Sequence, residues 1–335
     1  MRCPTLKDLP PPPPDKSGWP WTEESPQSPD FMHDGSSWPR ISIVTPSFNQ
    51  WQYIEETIRS VLLQGYPDLE YLVIDGGSTD GSLDIIRKYE PWLSFWVSEP
   101  DHGQSDAINK GMRMATGEIV NWINSDDCLL PGALKAVADT YSSQPGSIVV
   151  GAGVDFDEAS RKEIAVFPRK ISIQNIIRFW EGWFDWLQSS IFFSREKFID
   201  VGGLDESLHF SIDIDLYCRL MQLIPVVYTP TPISRFRRHG TAKTQSQYHA
   251  TMLEHIKVVS KYKQLLNRQE AKTYKAHTIA FLLRRMKRLL LDGRYRPLIQ
   301  YLRYTLAIGR SQTVITSLDL LLSKMKFKKG GTTSP

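Results

Sequence analysis

Apolar residues in the first half of the chain follow two alternating rhythms. Short β-branched or apolar runs at Ile41–Thr45, Leu69–Ile74, Phe95–Val97 and Glu118–Ile123 read as buried strands. Between them the spacing changes to that of helices. Trp51, Ile54, Ile58, Val61 and Leu62 recur on one face, with Asn49 as the expected N-cap and Gly65 as the stop. Further helices are expected over Asp80–Tyr89, over Ser105–Ala115 and from Pro131 onward. Strand and helix alternating at this spacing predict an α/β fold: a Rossmann-like, mainly parallel sheet flanked by helices and joined by right-handed crossovers.

The pattern fails at both ends. Residues 1–39 contain the proline run Pro10–Pro14, then scattered Ser, Pro, Asp and Trp, a composition that predicts a flexible arm. Trp19, Trp21 and Trp38 argue the other way, for docking on the body. Residues 251–327 return to long helical periodicity, so the expected organisation is an arm at 1–39, a catalytic domain at 40–245 and a helical, basic extension at 246–335. From Ala276 to Arg310, eight Lys and Arg stand against one acid, Asp292, interleaved with leucines. Such a segment suits either a peripheral helix on an anionic membrane or a packed helix with a solvated basic face.

Composition removes several classes. The net charge of +3 is too small to indicate a nucleic-acid partner. Cys3, Cys128 and Cys218 are widely spaced, with neither a disulfide framework nor a zinc pattern. No apolar run reaches the length of a membrane span, and no secretory leader is evident. The expected location is cytoplasmic, extending to peripheral contact with the inner face of the cytoplasmic membrane through the C-terminal helices.

Candidate chemistry lies where the strands end, because open sheets of this class bind ligands beyond the carboxyl ends of their strands. Three polar turns follow three strands: Thr45–Asn49, Asp75–Ser82 and Asn124–Asp127. Singly, each makes an ordinary turn or helix cap. Together on one edge they describe a crevice, and adjacent carboxylates on a tight turn can hold a hard cation such as Mg²⁺ or Mn²⁺.

The ordered set of Ile43–Asn49, Ser60–Gln64, Val73–Ser82, Gly103–Gly111 with Ala115–Glu118, Asn124–Asp127, Val201–Glu206 and Asp213–Leu216 resembles the family 2 glycosyltransferases, with their GT-A fold, over residues 40–245. The resemblance implies an inverting, metal-dependent transfer of a sugar from a nucleoside diphosphate, first of all a UDP-sugar, to a hydroxyl of a glycan or lipid-linked acceptor in cell-surface polysaccharide synthesis. It implies Asp213 as the catalytic base. Pro46, Phe48, Asp75, Lys110 and Asp126 become donor contacts, and Asp127, Asp126 and His239 metal ligands, with Mn²⁺ or Mg²⁺ as cofactor. Three positions depart from the family's habit: Asn124 and Gly76 stand where Asp is common, and Ile212 where Glu is.

Trp180, Trp183 and Trp186 crowd a seven-residue stretch and are candidates to stack on an acceptor sugar; a hydrophobic lid is the plainer reading. Two other functions remain open at this point. A sugar-nucleotidyltransferase would carry a Gly-rich basic loop after the first strand, where Pro46–Asn49 stands instead. A non-catalytic sugar- or partner-binding relative would keep the crevice and do without Asp213.

Overall fold

The computed structural model describes residues 1–168, 171–181, 186–242 and 247–308. Two compact units emerge, Met1–Ser172 with Asp185–Ser246, and Ile173–Phe184 with Gln247–Pro335. Residues 173–184, expected within the catalytic domain, group with the C-terminal helices instead.

In chain order the first unit opens with β1 (Ile41–Ser47), α1 (Ile54–Leu62), β2 (Leu69–Asp75), α2 (Ser82–Tyr89), β3 (Phe95–Ser98), α3 (Gln104–Met114) and β4 (Ile119–Trp122). The strand β5 (Cys128–Leu129), α4 (Ala133–Ser143), β6 (Ile148–Asp157) and β7 (Lys162–Val166) follow. The short helix α5 (Ile173–Ile177) belongs to the second unit. The first resumes with β8 (Ile191–Ser194), α6 (Arg195–Asp200), α7 (Ile212–Leu220) and β9 (Val226–Arg238).

One sheet joins these strands in the order β3-β2-β1-β4-β8-β6-β9-β5, with β7 beside β6. The half from β3 to β4 is parallel, as the alternating pattern predicts. The remainder is mixed: β8 runs antiparallel to both β4 and β6, while β9 pairs parallel with β6 and antiparallel with β5. β1 lies between β2 and β4 and is buried along its whole length, which is why it reads as an unbroken apolar run.

Helix starts come later than the apolar spacing suggests. Asn49 adopts a left-handed φ of 54° and caps no helix; its Oδ1 accepts from the Thr79 amide, tying the β1 turn to the β2 turn. Asp80 stands before α2 and accepts from the amides of Ser82 and Trp51.

Residues 1–39 are not a loose arm. Cys3, Leu9 and Trp38 enter the main core cluster, and Trp21 is buried as well. The binding agent is Arg59 of α1, which is fully buried. Its guanidinium donates to the carbonyls of Pro10 (2.8 Å), Pro20 (3.0 Å) and Trp21 (3.0 Å), and to Tyr89 Oη (3.0 Å). A proline-rich segment has few amides, so its carbonyls find no strand partner and suit a five-donor fork. The Trp19 indole adds a bond to the Leu129 carbonyl at 2.8 Å.

The second unit contains α5, α8 (Tyr248–Ser260), α9 (Arg268–Leu291) and α10 (Tyr295–Ile308). A full capping box, Asn267 with Glu270, starts α9. Its buried residues Tyr274, Thr278, Phe281, Leu282, Met286 and Leu289 form one stripe at helical spacing. Among the described residues no helix is long and apolar enough to cross a membrane.

Candidate active site

A cavity of about 350 Å³ lies in the first unit beyond the strand ends. Its lining draws on the β1 turn (Pro46, Ser47, Phe48), the start of α3 (Asp101, Gly103, Gln104) and the acidic turn (Asn124, Ser125, Asp126). His209 and Phe210 before α7, and Phe236 and Arg237 on β9, add to the wall. Parallel β1, β2, β3 and β4 bring the first three to one edge because their registers place Ser47 beside Asp75, Asp75 beside Ser98 and Val44 beside Trp122.

The acidic turn is divided between interior and cavity. Asp126 faces the cavity, and its Oδ2 lies 2.9 Å from His239 Nε2. His239 is buried; its Nδ1 meets Thr241 Oγ1 at 2.8 Å and its ring packs on Tyr53. Asp127 points inward and is 1% exposed. Its Oδ1 accepts the Arg237 amide at 2.9 Å, and its carbonyl accepts the Thr57 hydroxyl at 2.7 Å. Burial, and then the neighbouring Asp126 charge, push the Asp127 carboxyl well above the usual carboxylate range. Asp127, expected as a metal ligand, thus braces β9 through Oδ1 and is not among the residues lining the cavity.

Arg237 supports the same turn. Its Nε donates to the Asp126 carbonyl at 3.1 Å, and its guanidinium pairs with Glu56 at 2.9 Å and Glu158 at 3.5 Å. Arg238 pairs instead with Asp155 and Asp157. Gln104 reaches Asn124 Oδ1 at 2.8 Å, so the amide at 124 acts as a bridge.

Asp75, expected to read a nucleobase, is fully buried. Its oxygens accept the Gly77 and Ser78 amides and the hydroxyls of Ser78 and Ser98. Three of those bonds shape its own turn, and the fourth ties it to the end of β3. The carboxylate beside Phe48 is Asp101, which the sequence reading missed. A Cβ placed on Gly76 would stand 2.6 Å from Asp101 Oδ2 and 3.3 Å from the Phe48 ring. Asp101 Oδ1 accepts the Gly103 amide at 2.8 Å, which leaves Oδ2 turned to the Gly76 side. The signal was present: an Asp two residues before a Gly-flanked helix start, opposite a glycine where a side chain is common.

The remaining expectations divide. Pro46 and Phe48 line the cavity, and Phe48 is 59% exposed. Lys110 pairs with Glu99 and is absent from the lining. Asp213 sits in the first turn of α7, three residues after Phe210, and is not itself a lining residue. Burial raises its carboxyl to about 6. Neither Trp180 nor Trp186 is among the lining residues. Trp180 belongs to the second unit, stacked on His277 with centroids 5.1 Å apart and edge-on to Phe179 and Tyr274. Trp183 lies outside the described residues, and Trp186, in the first unit, is not in the lining.

The donors at Asp126 and His239 bear on a divalent cation. Among the described residues no third His, Cys, Asp or Glu joins them. A carboxylate and an imidazole converging at a cavity wall still fit Mg²⁺ or Mn²⁺, which commonly take few protein ligands and fill their shell from phosphate and water.

Comparison with known proteins agrees with this architecture. An uncharacterised glycosyltransferase of Mycobacterium tuberculosis H37Rv is 35% identical over 123 residues, 36% of this chain and 47% of its own. The putative teichuronic acid biosynthesis glycosyltransferase TuaG of Bacillus subtilis is 39% identical over 92 residues, 27% of this chain and 36% of its own. The chain thus spans about half, or less, of the length of these relatives. Among solved structures, S. aureus TarS superposes with a TM-score of 0.59 at 18% identity, covering 82% of this chain and 50% of TarS. Its fragment 1–349, solved with UDP-GlcNAc, gives 0.54 at 15% identity over 79% and 90%. These likenesses give the GT-A fold. The sequence profile described as glycosyl transferase family 2 matches residues 42–201 of this chain.

Proposed function

We propose that the chain transfers a sugar, with inversion, from a nucleoside diphosphate donor to a hydroxyl acceptor. The observation that carries this reading is the cavity at the ends of β1 and β4. An exposed Phe48 ring and the Asp101 carboxylate stand at one part of its wall, and Asp126, bonded to His239, at another. A planar base fits the first pair, through stacking and N–H donation to the carboxylate. A diphosphate fits the second, where Asp126 and His239 would hold Mn²⁺ or Mg²⁺. Such a cation supplies charge neutralisation for the leaving diphosphate.

The chain's own residues do the rest. Arg237 and Asp127 fix the height of the acidic turn, so Asp126 needs little reorganisation when the donor enters. Asp213 is the base that takes the acceptor proton. A carboxyl raised to about 6 is a stronger base than an ordinary one and is still ionised near neutrality. A single base working against a held leaving group gives inversion.

A UDP-sugar is the donor this reading favours, in keeping with the UDP-GlcNAc bound by a protein of the same fold. The name of TuaG favours a cell-surface glycan as product. The test is a panel of UDP-, GDP- and ADP-sugars with Mn²⁺, read by thermal shift and by release of nucleoside diphosphate. A UDP-sugar should stabilise the chain and be turned over, and Asp126→Asn should abolish release. If no nucleotide sugar shifts the melting temperature, the reading is wrong.

A further inference from the structure

The second unit contains a cavity of about 340 Å³ whose lining shares no residue with that of the site above. Its lining is Tyr248 and His249 from α8, Arg285, Arg288 and Leu289 from α9, and Asp292 and Arg294 at the α9–α10 corner. Three guanidiniums therefore share one small space with one acid. No ion pair joins any of the three to a carboxylate among the described residues; Arg285 lies over the rings of Tyr248 and Phe281, at 5.5 and 5.2 Å.

Polar atoms without partners accumulate at the same spot. Both ring nitrogens of His249 are buried and have no hydrogen-bond partner among the described residues. The same holds for the hydroxyl of Tyr301, whose ring meets His249 edge-on at 5.8 Å. A buried donor left unmade costs about 1–3 kcal/mol, so natural folds rarely gather several of them without a ligand or water. The Arg294 and Arg285 charges, after burial, lower the affinity of His249 for a proton, so both cations act on this imidazole. A helix C-terminus attracts cations, which accounts for Arg288 and Arg294. It does not account for Arg285 or for the two ring nitrogens.

We propose that this cavity is a binding site for a phosphate group, taken between Arg285, Arg288 and Arg294 with His249 as a further donor. Guanidinium forks match phosphate oxygens in pairs, and an imidazole N–H completes such a shell. The group could come from a lipid headgroup or from a soluble phosphate, and both present the same oxygens. Insertion of an apolar helix face is a different matter. The apolar stripe of α9 (Phe281, Leu282, Met286, Leu289) is already buried.

The experiment uses the full chain and compares two charge-matched double variants. Arg288→Gln with Arg294→Gln removes two cavity cations; Arg284→Gln with Lys287→Gln removes two from α9 that do not line the cavity. One arm titrates inorganic phosphate and pyrophosphate by calorimetry and follows the His249 imidazole by NMR. The other measures sedimentation with vesicles of phosphatidylcholine, alone or containing phosphatidic acid. A phosphate site predicts saturable binding that the cavity pair weakens about tenfold or more and the control pair leaves within about twofold. Binding in the vesicle arm alone assigns a lipid headgroup, and in the soluble arm alone a free phosphate. Equal losses in both pairs, or no binding in either arm, would overturn the proposal. Should the cavity pair unfold the chain, Arg294→Lys keeps the charge and loses the fork, and must still weaken binding.

Discussion

Asp101 Oδ2 stands 2.6 Å from the point that a Cβ on Gly76 would occupy. One carboxylate, from the turn after β3, has taken the room that a side chain at 76 would need, and the exposed ring of Phe48 borders the same space.

This relationship yields a swap test. Gly76→Asp alone should weaken UDP binding by about tenfold or more, because two carboxylates would compete for one space. Asp101→Gly alone should weaken it by a similar factor. Joined in one chain, the two changes should recover most of the affinity, as read by calorimetry. Wild-type binding that persists in both single variants would remove Asp101 from the donor site while leaving the proposed reaction untouched.

Asp126 and Asp127 should separate by readout. Asp126→Asn is expected to keep the melting temperature and lose Mn²⁺-dependent turnover. Asp127→Ala leaves the buried Arg237 amide without its acceptor and should cost about 1–3 kcal/mol in denaturant unfolding. The opposite assignment, a stable but inactive Asp127→Ala, would return Asp127 to the chemistry.

Asp213 gives a pH profile. Its folded value of about 6 lies above the ordinary one, so the ionised form is disfavoured in the fold. The stability it lends is present at low pH and lost as pH rises through about 6. Activity runs the other way, since a base must be ionised: kcat should fall as pH drops through about 6. Asp213→Asn should therefore lose turnover while melting at the same or a higher temperature at pH 7.5. A pH-independent kcat between 5 and 8 would exclude Asp213 as base.

Arg59 tests the N-terminal segment. Arg59→Ala removes three carbonyl partners at once and should cost on the order of 3 kcal/mol, with faster proteolysis within residues 1–39. Arg59→Lys should restore little, because a point charge cannot replace the fork. Unchanged proteolysis would mean that the segment is held by its apolar contacts alone.

The parallel half of the sheet was legible because β1, β2 and β4 are short apolar runs separated by turn residues, and that pattern survives without tertiary knowledge. The three polar turns were legible for the same reason. What each carboxylate does within its turn was not, since Asp75 and Asp127 differ from Asp101 and Asp126 only in which way they point. That direction is set by partners remote in sequence, such as the Arg237 amide, 110 residues from Asp127. Residues 1–39 misled through composition. Proline signals disorder when its carbonyls face water, and a single buried arginine nearly forty residues later reverses that reading.

Helix α1 faces both ways. One turn of it carries Glu56, which fixes Arg237, and Thr57, which holds the Asp127 carbonyl; Arg59 then reaches back to Pro10, Pro20 and Trp21. Anyone shortening the protein for crystallisation or expression would be drawn to cut the proline run first. That cut would remove the far anchor of the helix on which the acidic turn rests, and a domain trimmed to residues 40–245 would carry every motif and a loosened site.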